Sequence, residues 1–140
     1  MKPRVFIASS TEARDIAHSL ENALQIDAQP TVWDQNVFGL GKNTLQSLLE
    51  RVDCSDFGVF VFSPDDIVRI HDKEQFAARD NIVFELGVFV GKLGPRHSFL
   101  VVPQDIDIRI PSDLWGVTVA KYNACREDKN LDAATWSGEL

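Results

Sequence analysis

Phe57–Phe62 reads FGVFVF and Ser98–Val102 reads SFLVV. Both are short, β-rich apolar runs without alternation, the pattern of a strand covered on both faces. Between them Arg79–Gly91 (RDNIVFELGVFVG) is apolar over helical length and ends at Gly91-Lys92-Leu93-Gly94-Pro95, a glycine-then-proline stop. Strand, helix, strand is the unit of a parallel sheet, because parallel neighbours need a long crossover between them.

The pattern extends outward in both directions. Arg4–Ala8 (RVFIA) is a first buried strand. Ser9-Ser10-Thr11-Glu12 supplies N-cap candidates for a helix to about Gln25, with Ala13, Ile16, Ala17, Leu20 and Leu24 at helical spacing. Gln29–Trp33 (QPTVW) reads as a second strand, and Pro30 assigns it to an edge because proline cannot donate to a ladder. A glycine-containing loop, Asp34–Lys42, leads to a helix capped by Asn43 or Thr44 and running to about Val52, with Leu45, Leu48, Leu49 and Val52 on one face. After Phe62, Ser63-Pro64-Asp65-Asp66 opens a polar loop to about Ala78. Gln104–Trp115 is a longer loop, and Gly116–Tyr122 (GVTVAKY) is a fifth strand.

These elements predict an α/β fold: a flavodoxin-like three-layer sandwich with a five-stranded parallel sheet of order 2-1-3-4-5 and helices on both faces. Ligands in such folds bind beyond the C-terminal strand ends, where strand order reverses. Those ends carry Ser9 and Ser10, Trp33 and Asp34, and Ser63. The expected division is a globular domain over 1–122 and a polar tail over 123–140 that links to something further.

Composition narrows the function. The 140 residues carry 21 acidic against 14 basic side chains, a net charge of −7, which argues against nucleic acid or an anionic membrane as the main partner. No segment approaches the roughly 20 apolar residues of a membrane span. Met1-Lys2-Pro3-Arg4 lacks the features of a signal peptide, so a cytoplasmic protein with Cys54 and Cys125 as free thiols is expected. There is neither a GxGxxG nor a P-loop. His18, His71 and His97 form no nucleophile-and-base pattern, and Asp65-Asp66 and Asp105/Asp107 read as solvated loop carboxylates, so no metal is expected.

Glu85 is the exception in its helix. With Ile82 at 0° and about 100° per residue, Leu86, Phe89, Val90 and Leu93 lie within roughly 80° of it, and Glu85 falls near 300°. Asn81 and Lys92 fall nearby, which puts Glu85 on the rim of the apolar face. The stripe Asn81–Glu85–Lys92 either faces water or faces the cleft at the sheet's C-terminal edge, and periodicity leaves both open.

Arg79-Asp80-Asn81-Ile82-Val83-Phe84-Glu85-Leu86-Gly87, with Phe89 and Gly91, resembles the signature of bacterial TIR-like (Toll/interleukin-1 receptor-like) domains of cyclic-oligonucleotide-activated antiphage effectors. RVFIASSTE, VWDQNVFGLG, FGVFVFSPDD and IPSDLWGVTVAKY agree in order and spacing, so the resemblance covers about residues 4–122. It implies an NAD+ nucleosidase, activated by oligomerisation, in which Glu85 is the catalytic carboxylate. NAD+ is then the substrate and no cofactor is required. One anion suits this chemistry, because nicotinamide leaves as a neutral group and the ribose develops positive charge.

Expected NAD-binding residues are Ser9 and Ser10, placed where backbone donors favour phosphate or simply as helix caps; Trp33, for stacking or as core; Asp34; Phe38; and Ser63. The loop Asn36–Lys42 matches the family's gate or assembly loop. The resemblance also implies self-association and a fused cyclic-nucleotide sensor or membrane segment. Two other readings stay open: a nucleoside deoxyribosyltransferase, whose related fold also carries a Glu-Leu-Gly helix, and a non-catalytic TIR assembly module. A phospho-receiver is disfavoured, since serines stand where its acidic cluster is needed.

Overall fold

The computed structural model describes residues 1–33 and 44–123. Five strands, β1 (Arg4–Ser9), β2 (Gln29–Val32), β3 (Phe57–Val61), β6 (Ser98–Pro103) and β8 (Thr118–Tyr122), form one all-parallel sheet in the order β2-β1-β3-β6-β8. This is the expected 2-1-3-4-5 order, with β2 at the edge and Pro30 opposite Val5. The edge lets Pro30 turn its donor-less nitrogen away from a ladder.

Strict alternation in β1 shows why both faces are buried. Phe6 and Ala8 join the core beneath α2 (Thr44–Asp53) and α3 (Asp80–Leu93), with Phe60, Phe62, Leu86, Phe89 and Leu100. Val5 and Ile7 join the opposite core beneath α1 (Arg14–Leu24), with Ile16, Leu20, Val59, Val61, Val101 and Tyr122. A strand lying between two helical layers has no solvent face, which explains its continuous apolar reading. Phe89 stacks on Phe6 at 4.6 Å between ring centroids and meets Phe60 edge-on at 5.2 Å.

Four local expectations are corrected. Residues 63–78 are not simply a polar loop: β4 (Asp66–Ile70) and β5 (Lys73–Ala77) form an antiparallel hairpin. Its turn lies at His71 and Asp72, both with positive φ (51° and 63°), a left-handed pair that suits the right-handed twist of the strands. The loop over 104–115 holds the two-residue β7 (Ile108–Arg109), which pairs parallel to β5 and completes a small second sheet β4-β5-β7.

The Ser9–Glu12 segment does not cap α1 through a side chain. A single 3-10 turn over Thr11–Ala13 leads into the helix, and the Ser10 side chain makes no capping bond. Finally, the apolar face expected for α2 is only partly covered: Leu48 and Val52 are buried, whereas Leu45 and Leu49 are 46% and 38% exposed.

Among the described residues no helix is long and apolar enough to cross a membrane. Cys54 is exposed.

Candidate functional site

A cleft of about 700 Å³ opens beyond the C-terminal end of β1, beside the point where strand order reverses. Ser9, Ser10, Thr11, Glu12 and Arg14 form one wall, at the exit of β1 and the start of α1. Trp33, just past β2, forms another. The hairpin supplies Asp66 and Val68, and the approach and first turn of α3 supply Ala78 to Ile82. The hairpin, read as loop in the sequence, therefore builds a wall of the cleft that parallel-sheet topology alone does not provide.

Of the residues expected at the site, Ser9, Ser10 and Trp33 line this cleft. Trp33 is also core: it is 6% exposed, and its ring lies 5.6 Å from that of Phe6. Ser63 is buried behind the wall, with its Oγ 3.0 Å from the Ser10 Oγ. The Ser63 hydroxyl donates to Asp65 Oδ2, so the Ser10 hydroxyl is the donor in the serine pair. The result is a directed chain from Ser10 through Ser63 to Asp65, tying β1 to β3. Nearby, the Tyr122 hydroxyl donates to the Phe62 carbonyl at 2.9 Å; burial, with the Asp65 charge adding to it, pushes that hydroxyl well above the usual tyrosine range. Asp34, Phe38 and the loop 36–42 lie outside the described residues.

Glu85 differs from its helical projection. It is 3% exposed and lies in the buried face of α3 rather than on its rim, while Asn81 and Lys92 are exposed. The stripe is thus broken in the middle. A projection counts only the residues of one helix, whereas burial is set by everything packed around it, and α3 packs against α2 as well as β1, β3 and β6. Glu85 is not on the wall of the cleft itself. It lies one helical turn beyond Asn81 and Ile82, which are. Burying a carboxylate is costly, so this position must be held by the surrounding fold.

Among the wall residues that were not anticipated, three are joined by charge. Arg79, the residue that precedes α3, donates from Nη2 to Glu12 Oε1 at 2.7 Å, and its Nη1 lies 3.7 Å from Asp66 Oδ1. One guanidinium thereby spans the cleft from the β1–α1 turn to the hairpin. The hydrogen bond from Arg79 to Glu12 and the Asp66 charge raise the arginine above its already high range. The Glu12 carboxyl is held below the usual carboxylate range by its own backbone N–H and then by Arg79. A sequence signal for Arg79 exists. A cation at a helix N-terminus sits against the macrodipole, and that unfavourable placement asks for a reason.

The chain matches, over residues 4–124, the family described as CAP12/Pycsar effector protein, TIR domain. It is 42% identical over 120 residues to the Pycsar effector protein XpPycTIR of Xanthomonas perforans, covering 85% of this chain and 40% of that protein. It is 38% identical over 131 residues to the Pycsar effector protein PaPycTIR of Pseudomonas aeruginosa, covering 93% of this chain and 42% of that protein. CD-NTase-associated protein 12 of Flavobacterium daejeonense is 36% identical over 122 residues, 87% of this chain and 39% of that protein. The chain spans about two fifths of the length of these relatives. A five-stranded parallel sheet of this order, the cleft at its switch point and the ordered segments RVFIASSTE to GVTVAKY are together what the family match covers, and the chain belongs to the CAP12/Pycsar effector TIR domain family.

Proposed function

We propose that this domain is an NAD+ glycohydrolase that acts as the effector of an antiphage defence protein. The observation that carries the reading is the position of Glu85: a carboxylate buried in the second turn of the helix whose first turn walls the cleft. In the proposed reaction the C1′–N bond to nicotinamide breaks, with its electron pair leaving on the nicotinamide ring. The ribose passes through an oxocarbenium-like state and water adds at C1′, giving ADP-ribose and a proton. Glu85 stabilises the positive charge at C1′ or holds the ribose hydroxyls, and either role strengthens as the bond breaks. Ser9 and Ser10 line the route for polar contacts with substrate, Ser63 sets the Ser10 hydroxyl, and Trp33 offers an aromatic edge. Asp34 and Phe38 complete the proposed binding set.

Activation is by self-association, and the span of the relatives supports a longer protein in which 123–140 leads from this domain, over 1–122, to a cyclic-nucleotide sensor. A cytoplasmic location fits that role. The test is nicotinamide release from NAD+ by protein held at high concentration or artificially clustered, beside Glu85→Gln. A drop of at least about 100-fold in the variant is expected for loss of a charge-stabilising group. Equal release by both proteins sinks the proposal. Base exchange on deoxynucleosides instead marks a transferase, and assembly without turnover marks an adaptor.

A further inference from the structure

The wall of the cleft carries two arginines, Arg14 and Arg79, against three carboxylates, Glu12, Asp66 and Asp80. The chain as a whole carries a net charge of −7. Such a surface repels an anionic ligand unless a cation is placed where the anion must sit. Arg79 is so placed, but it is engaged: Glu12 holds one of its nitrogens at 2.7 Å, and Asp66 stands 3.7 Å from another. All three side chains are about half exposed, with relative accessibilities of 43%, 53% and 42%. Ion pairs in such surroundings are weak and exchange readily for a better anion. A phosphate offers Arg79 the same two-pronged geometry as a carboxylate with more charge.

We propose that Arg79 recognises a phosphate group in the cleft, and that Glu12 and Asp66 are its built-in competitors, so that a phosphate-bearing ligand binds by displacing carboxylates from the guanidinium. The pairing then acts as a charge filter. Neutral nucleosides gain nothing by opening it, and a nucleoside diphosphate does. Arg79, the residue just before α3, is six residues before Glu85, an axial separation of about 9 Å at the helical rise, the scale of one nucleotide unit. It is thus a positioning residue, fixing the phosphate relative to the carboxylate. This deepens the glycohydrolase reading and rests on the cleft being its substrate site.

The test measures binding rather than turnover, by calorimetry with ADP and with adenosine as probes. Removing a competitor is expected to tighten ADP binding: about fivefold for Glu12→Gln, equivalent to about 1 kcal/mol, and about twofold for Asp66→Asn, whose contact is longer. Arg79→Gln is expected to weaken ADP binding at least tenfold, and Arg79→Lys to recover part of it. Adenosine affinity is expected to stay within about twofold throughout.

Unchanged or weaker ADP binding in Glu12→Gln overturns the proposal, because a purely structural ion pair gives that result. A loss in Arg14→Gln in place of Arg79→Gln overturns it too, as does an absence of ADP binding by the parent protein and every variant. Backbone amide spectra confirm that each variant is folded. Nicotinamide release by the parent protein is a separate readout, so this proposal can fail while the glycohydrolase reading stands.

Discussion

Gly58, the second residue of β3, lies against Phe89, and its lack of a side chain is what lets α3 approach the sheet. A Cβ there falls 2.6 Å from Phe89 Cδ1 and 2.7 Å from Phe60 Cε2. Gly58→Ala is therefore expected to cost about 1–3 kcal/mol through overpacking, read as a lower urea midpoint with an unchanged slope. At Glu85 the two uses of a side chain separate. Glu85→Gln, which keeps the shape and removes the charge, is expected to lose nicotinamide release while Tm stays within a few degrees of the parent protein, and a loss of release matched by loss of folding counts against a functional origin for the carboxylate.

Arg4 and Asp56 give a pH signature. Hydrogen bonds from the Arg4 side chain and then its backbone N–H, with the charge, hold the Asp56 carboxyl below its ordinary 3.8. Because the folded value is depressed, the stabilisation is full above the unfolded value and is lost as pH falls through the folded one, so its window lies below about pH 4. Arg4→Met is expected to move the Asp56 carboxyl up toward its ordinary range, seen by carbon-13 titration. No movement removes the assigned cause.

At the level of elements, what the sequence made legible tracks how locally each was encoded. β1, β3 and β6 were readable because burial on both faces leaves unbroken apolar runs, and Pro30 marked the edge. The β4–β5 hairpin was not, although Ile67 and Phe76 face each other across it. Its turn uses His71-Asp72 where a short hairpin normally advertises itself with Asn-Gly or Asp-Gly, so the strongest local signal is missing. Asp72 sits at φ 63°, in the left-handed region that glycine reaches without steric cost. Asp72→Gly is accordingly expected to raise stability by up to about 1 kcal/mol in denaturant titration. A loss shows that the Asp72 side chain contributes more than its backbone costs. Within the site, Glu85 was legible as an oddity, but its burial was not, since that depends on what the folded chain packs around α3. Arg79 opens the Glu85 motif, but its place on the wall is not legible because its partners, Glu12 and Asp66, come from distant segments that only the folded chain unites.

For the whole molecule, the relevant fact is that the chain covers about two fifths of its relatives. If catalysis needs assembly, nicotinamide release should climb faster than first order with protein concentration, and linking copies should flatten that dependence. A rate strictly proportional to concentration from dilute monomer upward contradicts activation by self-association. The cleft walls come from four separate segments, β1 with its turn, the residue after β2, the hairpin and the start of α3. A shift in any one of them changes the cleft, which is the property an assembly-dependent enzyme requires.

Trp33 gives the cleft an optical readout of its own. Its indole is buried against Phe6 yet forms part of the wall, whereas Trp115 is 75% exposed. With the third tryptophan, Trp136, replaced by Phe, the two should emit at different wavelengths, with Trp33 to the blue, and a molecule entering the cleft should quench or shift only that component. Filling of the site could then be followed in real time, without a label and without turnover.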